Sequence, residues 1–149
     1  NFIRGGVLND SHQDFLSRHK LLTFLAPDQI QTFKKAASLK SYEDGDIVIE
    51  EGKKAQFLFI VYDGSLSVFA EDFDGDKELA ILKPGDFMGE ISVISNQPTS
   101  ASIRCLSKAV LIAIPKDTII LLKEKNPSFA QFLSKTSIDR FEENLSKQM

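Results

Sequence analysis

The segment Gly85-Asp86-Phe87-Met88-Gly89-Glu90-Ile91-Ser92-Val93-Ile94 carries the residue types most able to do chemistry in this chain. A glycine-bearing turn runs into a short apolar stretch that reads as a helix start. The N–H groups of a first helical turn have no partners within the helix and favour an anion. Gly89 would let the backbone approach a ligand closely. Glu90 supplies a carboxylate that can accept a hydrogen bond from a sugar hydroxyl. The Pro98-Thr99-Ser100-Ala101 loop then returns Ser100 and the Ala101 N–H toward the same place. An ordinary strand–helix–strand turn with a solvated Glu90 fits these residues equally well.

Other constellations are sparse. His12 and His19 stand seven residues apart with no third ligand near them in sequence, and they read as solvated helix histidines. Asp72-Phe73-Asp74-Gly75-Asp76 has the look of a calcium loop. Positions six and twelve, where such a loop needs Gly and an acid, hold Lys77 and Lys83. The segment therefore reads as a hairpin tip. Cys105 has no base beside it and reads as a buried structural thiol. No nucleophile elbow or triad pattern stands out, so the expectation is a chain that is not an enzyme. Metal ligands and a required cofactor are not expected.

Helices and strands must position the candidate segment. Apolar residues recur at helical spacing from Ser11 to Ala37, with a break and restart at Ala26-Pro27-Asp28. Pro27 suits a first helical turn. From Leu39 to Pro115 short β-rich segments alternate with glycine-bearing turns, the pattern of a sandwich or barrel. The expected strands are Ile47–Ile49, Phe57–Val61, Ser65–Phe69, Lys77–Leu82, Ser100–Cys105 and Ala109–Ile114. After Pro115 helix returns, interrupted at Asn126-Pro127-Ser128 and resuming from Phe129 to Lys147 with an apolar stripe. The interruption reads as a hinge.

Composition sets the class. At 149 residues with 42% apolar and 26% charged residues, the chain can bury a full core, and wholesale disorder is excluded. Eighteen basic against 21 acidic residues leave a net charge of −3, too acidic for a broad nucleic-acid footprint. No apolar run is long enough to span a membrane, and no signal peptide is visible. A single cysteine fits a reducing compartment, and a cytoplasmic location is expected. The first residue is Asn1, so a fragment of a longer protein is expected.

The cassette Phe87-Met88-Gly89-Glu90-Ile91-Ser92-Val93-Ile94 with Pro98-Thr99-Ser100-Ala101 resembles the phosphate-binding cassette of cyclic nucleotide-binding domains. That family includes the catabolite activator protein, protein kinase A regulatory subunits and cyclic-nucleotide-gated channels. Gly45-Asp46, Gly52, Phe57 to Val61, Gly64, Leu66 and Val68 match its glycine framework, and the likeness runs over about residues 15–148. The resemblance implies a mainly β fold, an eight-stranded jelly-roll β-roll over about 39–115, with helices over about 11–37 and 116–148. All of 1–149 then forms one domain. It implies a regulatory sensor in signal transduction, with cAMP or cGMP as ligand and the C-terminal B and C helices relaying the signal. Ligand contacts fall on Gly89, Glu90, Ile91, Ser92, Thr99, Ser100 and Ala101, with Val68 and Ala80 at the base. The alternative is a non-binding interaction or structural module on the same scaffold, and a sensor for another small ligand also stays open. The expected partners are a cyclic nucleotide, and a neighbouring domain or second copy met through the C-terminal helix.

One departure bears on affinity. Where the family has the arginine that pairs with the cyclic phosphate, this chain has Thr99. A hydrogen bond to a charged group contributes about 1.5–3 kcal/mol, and truncating one partner of a buried charge pair costs about 2–5 kcal/mol. Affinity for a cyclic nucleotide should fall by about tenfold to a thousandfold. Arg104 lies further along the same strand with a parity that differs from that of Thr99, so it is not counted as a replacement.

The C-terminal stripe yields a prediction. Phe132 and Leu145 are separated by roughly 20 Å along a helix rising about 1.5 Å per residue. Ile138, Phe141 and Leu145 then either meet a partner or fold back toward Phe15 and Leu22. Phe141→Glu with Leu145→Glu is expected to shift sedimentation toward monomer in the first case and lower the melting temperature in the second. Unchanged mass and stability would remove this helix as a contact.

Overall fold

A computed structural model describes residues 4–136. Two antiparallel sheets face each other. In the first, the strand order is Arg4–Gly6 (β1), Ser38–Tyr42 (β2), Ala109–Pro115 (β9), Phe57–Asp63 (β4) and Phe87–Met88 (β7). In the second it is Ile47–Ile49 (β3), Ser102–Cys105 (β8), Leu66–Asp72 (β5) and Gly75–Leu82 (β6). Helices Asp10–Ser17 (α1), Pro27–Ala36 (α2) and Lys116–Lys125 (α4) flank the sheets, and Glu90–Ser95 (α3) follows β7. Residues 127–136 form a further helix, α5.

The jelly-roll β-roll is as expected, and β2 and β7 add to the six strands placed from sequence. Strands β2 to β9 are the eight expected of the β-roll, and among the described residues one more strand joins them. The addition is β1, an Arg-Gly-Gly edge strand that pairs Gly5 with Lys40 and Gly6 with Leu39. Ser100 and Ala101 precede β8 rather than opening it. Neither β1 nor the two-residue β7 carries an alternation of side chains, so neither announces itself in sequence.

Strands β4 and β9 are buried on both faces, which is why they read as continuous apolar runs. Leu58 and Ile60 of β4, with Ile112 and Ile114 of β9, face the helices and meet Phe33, Phe87, Ile119 and Phe129. Phe59 and Val61, with Leu111 and Ala113, face the second sheet and meet Leu66, Leu82, Met88 and Ile103. Both clusters are built from side chains almost closed to solvent. Each large one contributes about 1.5–3 kcal/mol by its burial.

Capping sets the helix boundaries. The Asn9 side chain accepts the His12 N–H at 3.0 Å while His12 Nδ1 accepts the Asn9 N–H at 2.9 Å. Pro27 opens α2, as its sequence position suggests, and Gln29 Oε1 accepts the Ala26 N–H at 2.9 Å. Asn126 caps α5 by accepting the Phe129 N–H at 3.0 Å. Its amide also donates to the Phe24 carbonyl at 2.6 Å and to Gln29 Oε1 at 2.9 Å. The interruption read as a hinge is therefore tied to the N-terminal helices. Phe129 and Leu133 are fully buried, and Phe132 lies 4.9 Å from the Phe24 ring. Ile138, Phe141 and Leu145 lie outside the described residues.

His19 overturns the expectation of a solvated side chain. It is buried, and its Nδ1 accepts the Leu21 N–H at 3.1 Å, capping the 3-10 turn Lys20–Phe24. Nε2 therefore holds the ring proton and donates to the Gly85 carbonyl at 2.7 Å. Burial lowers the His19 pKa most, the Gly85 bond opposes this, Lys20 lowers it further and Asp86 raises it. Protonation of Nδ1 would replace its acceptor lone pair with a second donor facing Leu21. Because the folded pKa lies below the unfolded value of about 6.5, the unfolded chain binds more protons between the two. Stability contributed by neutral His19 is complete above about pH 6.5 and declines as pH falls toward the folded pKa. Urea unfolding of the native protein should therefore show a midpoint that falls over this window, and His19→Gln should flatten that part of the profile. A midpoint that rises on acidification would contradict the assignment.

Candidate functional site

The cassette is seated by a close approach of two backbones. Gly89 has φ +91°, and a Cβ built on it would stand 2.6 Å from the Phe57 carbonyl oxygen. Only glycine lets the chain turn here against β4 and start α3 at once. Ser92, buried in α3, accepts the Ala55 N–H at 2.9 Å and donates to the Gln97 carbonyl at 2.6 Å. Its hydroxyl thus binds the helix to the segment before β4 and to the loop after itself. Asn96, with φ 55°, ends the helix in the left-handed region.

Under α3 lies a cavity of about 340 Å³. All nine residues expected at a ligand site stand on its walls. Gly89, Glu90, Ile91 and Ser92 come from the helix start, and Thr99, Ser100 and Ala101 from the returning loop. Val68 and Ala80 lie directly opposite each other across β5 and β6 and form part of the base. Ile49, Leu82, Met88 and Ile103 complete an apolar floor, and Asp86 joins the wall. Strand parity with Ala80 and Ala101 would have found Leu82 and Ile103. Nothing in sequence marks Asp86 as a wall residue.

Thr99 lines the cavity but is engaged elsewhere. Its hydroxyl donates to the Glu50 carbonyl at 2.9 Å. Its N–H donates to the Lys53 carbonyl at 2.9 Å, and its own carbonyl accepts the Gly52 N–H at 2.9 Å. The residue latches loop 50–53 to the cassette. Arg104 supplies no substitute cation, because its guanidinium lies 4.5 Å from the Phe69 ring centroid while its neighbour Ile103 faces the cavity. Lys53 pairs with Glu50 at 2.7 Å. Among the described residues, the charged ones on the cavity wall are Asp86 and Glu90. Glu90 is 1% exposed.

Other candidates recede. Burial above all, with Asp46 and Asp44 adding to it, pushes the Cys105 thiol up to about 11, which leaves it unreactive. Asp72 to Asp76 form the tip of the β5–β6 hairpin, with Asp72 paired to Gly75. No group of three His, Cys, Asp or Glu side chains among the described residues could hold a metal ion. A larger open cleft of about 790 Å³ lies beside loop 50–56. Its rim mixes Glu50, Glu51 and Glu71 with Lys40, Lys53 and Lys54, and it excludes the cassette.

The sequence profile described as the cyclic nucleotide-binding domain matches residues 39–126, which spans the cassette and strands β3 to β9. The chain belongs to that family. It is 25% identical over 128 residues to the cAMP-dependent protein kinase regulatory subunit of Debaryomyces hansenii, covering 80% of this chain and 28% of that protein. The chain thus spans less than a third of that relative. The regulatory domain of Toxoplasma gondii protein kinase A, crystallised with cAMP, superposes with a TM-score of 0.73 at 24% identity, covering 77% of this chain and 46% of that one. The regulatory subunit of a cAMP-independent protein kinase A from Trypanosoma cruzi, bound to guanosine, gives 0.70 at 17% identity over 88% of this chain and 50% of that one. The family's framework glycines and cassette Glu90 are kept here, whereas the cassette arginine is Thr99.

The Gly89 approach is testable. Gly89→Ala should destabilise the protein by more than about 2 kcal/mol, since it combines a left-handed backbone with a clash against main chain. Denaturant unfolding of the two proteins measures this, and a loss below about 0.5 kcal/mol would refute the packing described.

Proposed function

We propose that this domain is a regulatory sensor whose ligand occupies the cavity beneath α3. A purine ribonucleotide of the cAMP or cGMP class fits there with weakened affinity, and the output runs through the C-terminal helix. The observation that carries this reading is the convergence of Gly89, Glu90, Ser92, Ser100 and Ala101 on one cavity with an apolar floor. Its volume of about 340 Å³ lies within the usual range for small-molecule sites. Glu90 supplies an acceptor suited to a ribose hydroxyl, and the floor of Ile49, Val68, Leu82 and Ile103 suits a flat base. The cAMP carried by the Toxoplasma neighbour and the guanosine carried by the Trypanosoma neighbour support a purine ligand. The packing of α5 on α2 and on Phe87 of β7 supports a path from cassette to C-terminus. No helix among the described residues is long and apolar enough to cross a membrane.

A second reading, a non-binding interaction module, is favoured by one observation. The Thr99 hydroxyl is already engaged by Glu50, so the cassette meets the phosphate position without a free charged group. Thermal shift with millimolar cAMP and cGMP separates the two readings. A ligand that binds only the folded state adds about 2.7 kcal/mol of stability at a hundred times its Kd. Thr99→Arg should tighten cyclic-nucleotide binding about tenfold or more by restoring a charge-assisted fork, while losing the bond to Glu50. Submicromolar affinity in the native protein, or no gain in the variant, would overturn the weakened-phosphate reading. No shift with either ligand in either protein favours the interaction module.

A further inference from the structure

We propose that the cleft beside loop 50–56 is a second ligand site, separate from the cavity beneath α3, that takes a small aromatic carboxylate with a hydrogen-bond acceptor at the far end of its ring. The cleft, of about 790 Å³, opens between the two sheets where β3 forms the edge of the second one. Its size lies within the usual range for small-molecule sites. Lys40 and Tyr42 line it from β2. Two residues apart on one strand, they share the face opposite Leu39, which packs toward the helices. Both side chains therefore project between the sheets. Lys40 is half-buried there, and among the described residues no carboxylate pairs with it. Its ammonium lies 4.5 Å from the Phe57 ring centroid. The ring attracts the cation but leaves its N–H donors free for a ligand. Withdrawing an ammonium from water without an anion is costly, and a bound carboxylate relieves that cost.

Tyr42 supplies the second point of attachment. It is 4% exposed, and its hydroxyl has no hydrogen-bond partner among the described residues. No buried side-chain N or O atom among them is both unpartnered and closed to solvent, so this hydroxyl is open to the cleft that Tyr42 lines. Burial above all, with Cys105 and Asp46 adding to it, pushes the Tyr42 pKa up to about 12. The phenol keeps its proton at neutral pH and offers a donor, while the nearby Asp46 favours an uncharged acceptor over a second anion. The rest of the lining is largely apolar. Phe57 and Phe59 stand with ring centroids 5.7 Å apart, and Val48 and Phe69 join them. Ile47, also on the lining, is 40% exposed, and a bound ring would cover that surface. The acids Glu50, Glu51 and Glu71 are exposed. Glu50 pairs with Lys53 at 2.7 Å, and Glu51 Oε1 accepts the Glu71 N–H at 3.2 Å. The charge drawn in between the sheets is the Lys40 ammonium.

Isothermal titration and backbone-amide NMR of the native chain with 4-acetylphenylacetate test the proposal. The probe should bind saturably, and the amides that shift should lie in β2, β3 and β4 around Lys40, Val48 and Phe57. 4-Acetylphenylacetamide lacks the charge and should bind about tenfold or more weakly, because a hydrogen bond to a charged group is lost. Lys40→Met keeps the stem over Phe57 and removes the ammonium, so it should erase the preference for the acid over the amide. Tyr42→Phe removes a hydroxyl that has no partner in the described protein. It should leave the melting temperature level and weaken the probe about threefold or more, while 4-ethylphenylacetate, which has no acceptor, binds both proteins alike. Equal affinity for acid and amide in the native chain, or an acid preference that survives Lys40→Met, overturns the site. Absence of saturable binding at millimolar concentration also overturns it, as do shifts confined to residues 89–101, which put the probe under α3.

Discussion

The Phe57 carbonyl occupies the space that any side chain at position 89 would need. This contact brings the end of β7 against β4, and β4 is the strand buried on both faces. Everything in the cassette is referenced to it. With Gly89 fixed, α3 starts at a set distance from the sheet, Val93 enters the helical core, and Ser92 reaches both the Ala55 N–H and the Gln97 carbonyl. The cavity is the space left between that helix and the β5–β6 surface. Its shape follows from backbone packing rather than from any one side chain on its wall.

The loops around the cavity form a second tier. Gly52 and Lys53 exchange main-chain hydrogen bonds with Thr99, Glu50 accepts the Thr99 hydroxyl, and Ser102 Oγ accepts the Glu51 N–H at 2.9 Å. Loop 50–53 and the segment 99–102 are thus one stitched rim. Each such bond contributes about 1 kcal/mol net, and together they hold a polar edge that would otherwise be exposed main chain. A threonine suits this position because its short hydroxyl reaches the neighbouring loop. An arginine there would extend past it.

The β-roll was legible because its strands are short, apolar and separated by glycines at regular intervals. The cassette was legible because a glycine–glutamate pair before an apolar helical turn is a compact local pattern. What escaped was whatever depends on partners distant in sequence. His19 looks like a surface helix residue until Gly85, 66 positions away, supplies its acceptor. Arg104 could not be assigned a side from parity alone, because its parity differs from that of Thr99 and matches that of Ser100, and both precede β8 on the cavity wall. Asp86 looked like a turn residue, which it is, and its place on the cavity wall emerges only when the β6–β7 turn folds over the sheet. Asn126 looked like a helix breaker, while its amide bonds to Phe24 and Gln29 come from the N-terminal helices.

Those Asn126 bonds set a threshold for any motion of α5. Swinging that helix away at its first residue breaks two hydrogen bonds and uncovers Phe129 and Leu133. Burial of two such side chains contributes several kcal/mol, at about 1.5–3 kcal/mol each. A ligand shifts an equilibrium only by its difference in affinity for the two states. Any ligand that opens this junction must therefore bind the open state more tightly by at least that amount. The junction is therefore built to stay closed under weak occupancy, and small rotations about an intact Asn126 are the cheaper route for any signal that passes through it.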